Sequence, residues 1–245
     1  MSTSVRMIRG LAWALAILAI VNAVITVGFA LNIGAPPPPP ENQDLVDRLL
    51  AFRADDVRIF GVGVVQSLSG LGVFLVGAIL GSALRRWARD TPARDALVLL
   101  FVMGGVLGVG ANLLNIAVSN SATFGYCDCG YKTEEVIAQD YALSVGWTAV
   151  NWLSIGAVTL VGLGAAVAGR LVDVSPTWRL VSYAIAALLL VAVAIRLVAA
   201  FVFVAAFDPF QASDLLTALA AGILVPIWAV LLARAAPRLG AETAT

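Results

Sequence analysis

The chain has 245 residues, of which 61% are hydrophobic and only 12% charged, whereas a soluble domain carries about a quarter charged residues. That composition marks an integral membrane protein, and the even balance of fifteen cations against fifteen acids carries none of the basic excess that nucleic-acid binding requires. The absence of histidine excludes histidine-ligated haem, a histidine metal site and histidine acid–base catalysis. A single lysine, Lys132 in a loop, leaves no phosphate-binding glycine-rich loop and no buried Schiff base.

Arg6 and Arg9 precede a first apolar run over about 11–33. Gly28-Phe29-Ala30 resembles a signal-peptidase site, but the run is longer than the ~7–15 residues of a secretory core and reads as a retained span. Pro36 to Pro40 then form a stiff polyproline spacer. Beyond it Leu45, Val46, Leu49, Leu50 and Phe52 share one face, the periodicity of a short helix lying on a membrane surface or solvated in a loop.

A second span over about 59–84 ends in Arg85, Arg86 and Arg89, and a third covers about 96–119. Gly77 with Gly81, and Gly104 with Gly108, are small-xxx-small pairs suited to close helix packing. The polar stretch that follows holds both cysteines, Cys127 and Cys129, around Asp128. Thr133 with Glu134 and Glu135 reads as a capped helix start running into a fourth span over about 142–169. The fifth span, about 180–207, carries Arg196 inside an otherwise apolar run, and Asp208-Pro209 closes it. The sixth, about 215–233, contains Pro226, which frees the Gly222 carbonyl and predicts a kink, and stops at Arg234 and Arg238.

These spans predict an all-α bundle of six membrane helices in one domain over 1–245. Ten cations fall on the side of the termini and four on the other, so the positive-inside bias puts both termini in the cytoplasm of a multi-pass cell-membrane protein. Loops 34–58, 120–141 and 208–214 then lie outside and hold eleven acids.

A shift of 85 residues lays the stretch from Val65 over that from Val150 with seven of thirteen identities, and sets Gln66 on Asn151, Ser69 on Ser154, Arg85 on Arg170 and Arg94 on Arg179. Spans two-three and four-five therefore read as a parallel duplication of one hairpin. Gln66, Asn112, Asn151 and Arg196 all fall about 16–18 residues from the cytoplasmic end of their spans, within a few ångströms of one plane at ~1.5 Å per residue. Ser69, Asn115 and Ser154 accompany the three amides at i+3, on the same helical faces.

A charge at membrane depth costs about 2.5–3.5 kcal/mol or more, so Arg196 should face this polar layer, either locking the helices together or binding a ligand. No Asp or Glu falls inside an apolar run so drawn. The guanidinium then lacks a counter-charge and suits an anionic small molecule or lipid headgroup. In an oxidising compartment Cys127 and Cys129 could be bridged, free or redox-active, and two thiolates alone make a weak metal signal. No catalytic, metal or cofactor constellation emerges. The leading expectation is thus a bacterial-type membrane protein without catalysis of its own, an accessory, sensory or assembly component acting through other membrane subunits. A small carrier or channel for an anionic or amide-bearing solute is the alternative, and an outer-face dithiol redox protein the third.

Overall fold

Each apolar run is long enough to cross the ~30 Å hydrocarbon layer as a helix with its backbone hydrogen bonds satisfied internally, and in the computed structural model each does form one. The described residues are 3–30, 61, 63–124, 133–201 and 209–242. They form α1 (Thr3–Ala30), α2 (Gly63–Ala83) with a 3₁₀ turn (Leu84–Arg86), α3 (Ala93–Phe124), α4 (Thr133–Leu171), α5 (Pro176–Phe201) and α6 (Pro209–Leu219), which a π turn (Ala220–Leu224) joins to α7 (Val225–Glu242). Six of these segments have the length and hydropathy of membrane spans, with α6, the π turn and α7 making the sixth. The stretches carrying the polyproline spacer, the expected surface helix and Cys127-Asp128-Cys129 lie outside the described residues.

The helix starting at Thr133 does continue through the fourth span as one 39-residue helix. Elsewhere proline moves the boundaries. Pro176 opens α5 four residues before the apolar run, at the first position where a missing N–H costs nothing, and Ser175 Oγ caps it by accepting from the Trp178 N–H at 3.1 Å. Pro209 likewise opens α6, so residues 209–214 are helical rather than part of a connecting loop. At the other end, Arg234 and Arg238 do not stop the sixth span, which continues past Pro237 to Glu242. Just before Pro226, where a kink is expected, the helix widens into the π turn, closed by the Val225 N–H on the Ala220 carbonyl.

The spans pack in sequence, each against the one before and the one after, and α1 closes on α7 and the π turn to complete a ring. Lipid tails are as apolar as leucine, so close packing and interhelical hydrogen bonds must hold this ring together. The α2–α3 seam shows how. From one end to the other, Ser67 faces Asn115, Gly70 faces Asn112, Phe74 faces Gly108 and Gly81 faces Phe101. A Cβ on Gly108 would lie 2.2 Å from Phe74 Cγ, and one on Gly81 2.2 Å from Phe101 Cγ. Two of the glycines in the small-residue pairs thus act as seats for aromatic rings from the facing helix. At the end bearing the described termini, Ile8, Leu80, Leu84, Leu97, Trp178 and Leu232 are buried in one apolar cluster. There the Ala88–Val172 bridge ties the two connections between spans together, with the Arg89 N–H donating to the Leu171 carbonyl at 3.1 Å.

Candidate functional site

The half of the ring away from the termini is polar inside. Asn115 Nδ2 donates to Ser67 Oγ at 2.7 Å, and Ser67 Oγ donates to the Gly63 carbonyl at 2.9 Å. Asn112 Nδ2 donates to the Gly108 carbonyl one turn back at 2.7 Å. Its Oδ1 occupies the space above Gly70, where a Cβ would approach to 2.5 Å. Across the α1–α2 seam, Gln66 Nε2 donates to Thr26 Oγ1 at 2.9 Å, and Ser69 Oγ lies 3.0 Å from Asn22 Oδ1 and 2.7 Å from the Gln66 carbonyl.

Arg196 lies in the α5–α6 hairpin, five residues before the Phe201 end of α5, and Asp214 lies five residues past the Pro209 start of α6. Antiparallel helices joined by a short connection bring such positions to one level. The Arg196 guanidinium pairs through Nη2 with Asp214 Oδ1, and its Nε donates to Ser213 Oγ at 2.8 Å. Ser213 is fully buried and donates onward to the Ala192 carbonyl of α5 at 3.0 Å. The expectation of an arginine without a counter-charge is therefore corrected. The sixth span begins earlier than its apolar run, and its first turns carry the missing carboxylate. The amides do not bond the guanidinium; they stand opposite it.

Between them is a chamber of about 220 Å³ to which all six spans contribute. Its walls include Asn22, Gln66, Ser67, Asn112, Asn115, Asn151, Ser154, Arg196, Ser213 and Thr217. Six of the seven residues expected to form a polar layer thus meet around one space: Gln66, Asn112, Asn115, Asn151, Ser154 and Arg196. The seventh, Ser69, is absent from the wall and serves the α1–α2 seam. Among the described residues the Asn151 and Ser154 side chains make no hydrogen bond to another protein group. Sequence reasoning missed Asn22, Thr26, Ser67, Ser213, Asp214 and Thr217. Asn22 and Thr26, one turn apart in the first span, could have been found as polar residues on one helical face. Asp214 could have been found by letting Pro209 begin the helix.

Chemically, the chamber offers amide and hydroxyl groups that can donate or accept, and one cation already engaged by a carboxylate. Among the described residues its lining brings no nucleophile and base together. The chain matches no known family model, no curated protein and no solved structure. Fold and site together define a multi-pass helical membrane protein with a pocket of mixed polar and apolar lining to which every span contributes.

Proposed function

We propose that this protein is a carrier for a small, uncharged or zwitterionic polar solute, bound in the chamber between the amides of α2, α3 and α4 and the arginine of α5. The observation behind this reading is that every span lends a polar wall residue to one space. A scaffold that only recruits partners does not need such a space. Size narrows the occupant: about 220 Å³ falls below the ~300–1,000 Å³ of sites for drug-sized ligands, which favours a solute of a few heavy atoms over a lipid headgroup with its chains. Charge narrows it further. With Asp214 on Arg196 the chamber has no uncompensated cation, so a simple anion gains little there. A zwitterion can share the ion pair, and an amide-bearing or hydroxylated solute can replace water on Gln66, Asn112, Asn115, Asn151 and Ser154.

The orientation belongs to the same proposal. The arginine-rich connections favour cytoplasmic termini, an orientation that would set the chamber in the outer half of the membrane. The hairpin duplication is supported by Gln66 and Asn151, the matched amides, standing on the wall of one chamber, and by the pairing of the two matched connections through Ala88 and Val172.

Thermal unfolding of the purified protein with urea, glycine, glutamine, acetate and chloride tests this reading. A bound solute at a hundredfold excess over its Kd should stabilise the protein by about 2.7 kcal/mol. Asn112→Leu should remove that gain, and acetate and chloride should give none. If acetate or chloride alone stabilises, the charge argument is wrong; if none of the five does and Asn112→Leu behaves as wild type, the carrier reading loses its support.

A further inference from the structure

A second, smaller cavity of about 80 Å³ lies within the ring. Its lining is apolar and includes Leu15 of α1, Phe74 of α2, Phe101 of α3, Ala165 of α4, Ile185 of α5 and Val225 of α7. All six spans again contribute, and on every one the lining residues are displaced toward the end bearing the termini. Leu15 lies seven residues below Asn22, Ala165 seven below Val158, and Ile185 seven below Ala192. Seven residues are two helical turns, so the two spaces are stacked along the ring axis with centres about 10 Å apart.

Phe74 lines both. Its ring lies against α3 where Gly108 leaves the space of a side chain, and it stands between a polar chamber and an apolar one. The sixth span changes character at the same level. Thr217 lines the upper chamber and Val225 the lower, and the π turn over Ala220–Leu224 lies between them. π turns and interrupted helices are where spanning helices accommodate movement and expose backbone groups to a cavity.

We infer that the two chambers are successive compartments of one axial path and that Phe74 is the gate between them. This rests on the carrier reading and adds the route. An apolar compartment of this size stays dry, because a water molecule there has no polar partners, and a dry constriction blocks polar solutes until it widens. Below it the cluster around Leu84, Leu97 and Trp178 closes the path toward the termini. A solute held in the upper chamber can therefore advance only when the Phe74 ring leaves its seat at Gly108.

The experiment uses the full chain with Cys127→Ser and Cys129→Ser, in lipid nanodiscs that expose both faces. Ser154→Cys reports on the upper chamber and Ala165→Cys on the lower. The probe is 2-aminoethyl methanethiosulfonate, with unreacted thiol counted after denaturation. Ser154→Cys should react readily and Ala165→Cys should be protected. Phe74→Ala should speed the Ala165→Cys reaction by about tenfold or more, a shift of ~1.4 kcal/mol in the open population, while leaving Ser154→Cys unchanged.

An unreactive Ser154→Cys would overturn the chamber reading itself. Reactive Ser154→Cys with Ala165→Cys equally reactive in the presence of Phe74 would overturn the gate alone. So would protection of Ala165→Cys that persists in a monodisperse Phe74→Ala protein. If Phe74→Ala does not fold, Phe74→Leu keeps most of the apolar volume without a planar ring. It should give a smaller rise in the same direction, and no rise refutes the gate.

Discussion

Breaking the Arg196–Asp214 pair from either side should give unequal results, and the inequality follows from where the two side chains stand. The Arg196 side chain is 15% exposed and the Asp214 side chain 42%. Removing one partner of a fully buried pair costs about 3–5 kcal/mol, because the other charge is left uncompensated. Asp214→Asn leaves the guanidinium, the deeper group, with only Ser213 Oγ and an amide in place of a carboxylate, so the loss should approach the upper part of that range. Arg196→Leu leaves the carboxylate instead. It is the more exposed of the two groups and can recover hydration, so about 1–2 kcal/mol is expected, toward the value for exposed pairs. The double variant Arg196→Leu/Asp214→Asn removes both charges and should be more stable than Asp214→Asn alone, which takes a coupling larger than the Arg196→Leu loss, about 2–3 kcal/mol. Unfolding in mixed micelles with increasing dodecyl sulfate measures all four proteins on one scale. If the single losses simply add in the double variant, or if Arg196→Leu is the more damaging single change, the reasoning from burial and pairing fails.

Two further substitutions probe the packing. Ser182 accepts from Trp228 Nε1 at 2.8 Å beneath the Trp178–Trp228 stack, whose ring centroids are 5.2 Å apart. Ser182→Ala would leave that indole N–H buried without an acceptor, as Trp178 Nε1 already is. It should cost about 1–3 kcal/mol, seen as a lower unfolding temperature with a shift in tryptophan emission; an unchanged melt would mean that the hydroxyl contributes nothing there. At the π turn, a Cβ on Gly222 would lie 2.4 Å from the Ala23 Cβ of α1, and neither atom can rotate away. Gly222→Ala should therefore destabilise by about 1–3 kcal/mol, and Ala23→Gly in the same chain should restore most of the loss. Absence of rescue would place the damage in the π turn and not at the crossing.

The site was legible in part, and the parts missed have specific causes. Matching depths from the ends of the spans brought Gln66, Asn112, Asn151 and Arg196 to one level, because helical rise is fixed and antiparallel neighbours share their ends. The same counting placed Ser69 with them. Three residues along a helix turn a side chain by about 60° from its companion, and at α2 that is enough to take Ser69 off the chamber wall and onto Asn22. The sixth span was drawn from hydropathy alone, which cannot include a helical first turn that is polar. Hydropathy therefore leaves Asp214 in a loop and Arg196 without its partner.

Composition and run length by themselves determined that this is a membrane protein with six helical spans. In hydrocarbon the backbone has only its own chain to bond, and ~20 apolar residues settle the outcome locally. They also showed that an arginine within a span needs company. Which partner it takes, which glycines hold which rings, and that the spans close in sequence around two stacked spaces were decided only by the tertiary structure. Those outcomes depend on helix rotation and crossing geometry, set by side chains that meet from different helices, from Arg196 with Asp214, 18 positions apart, to Ser67 with Asn115, 48 apart.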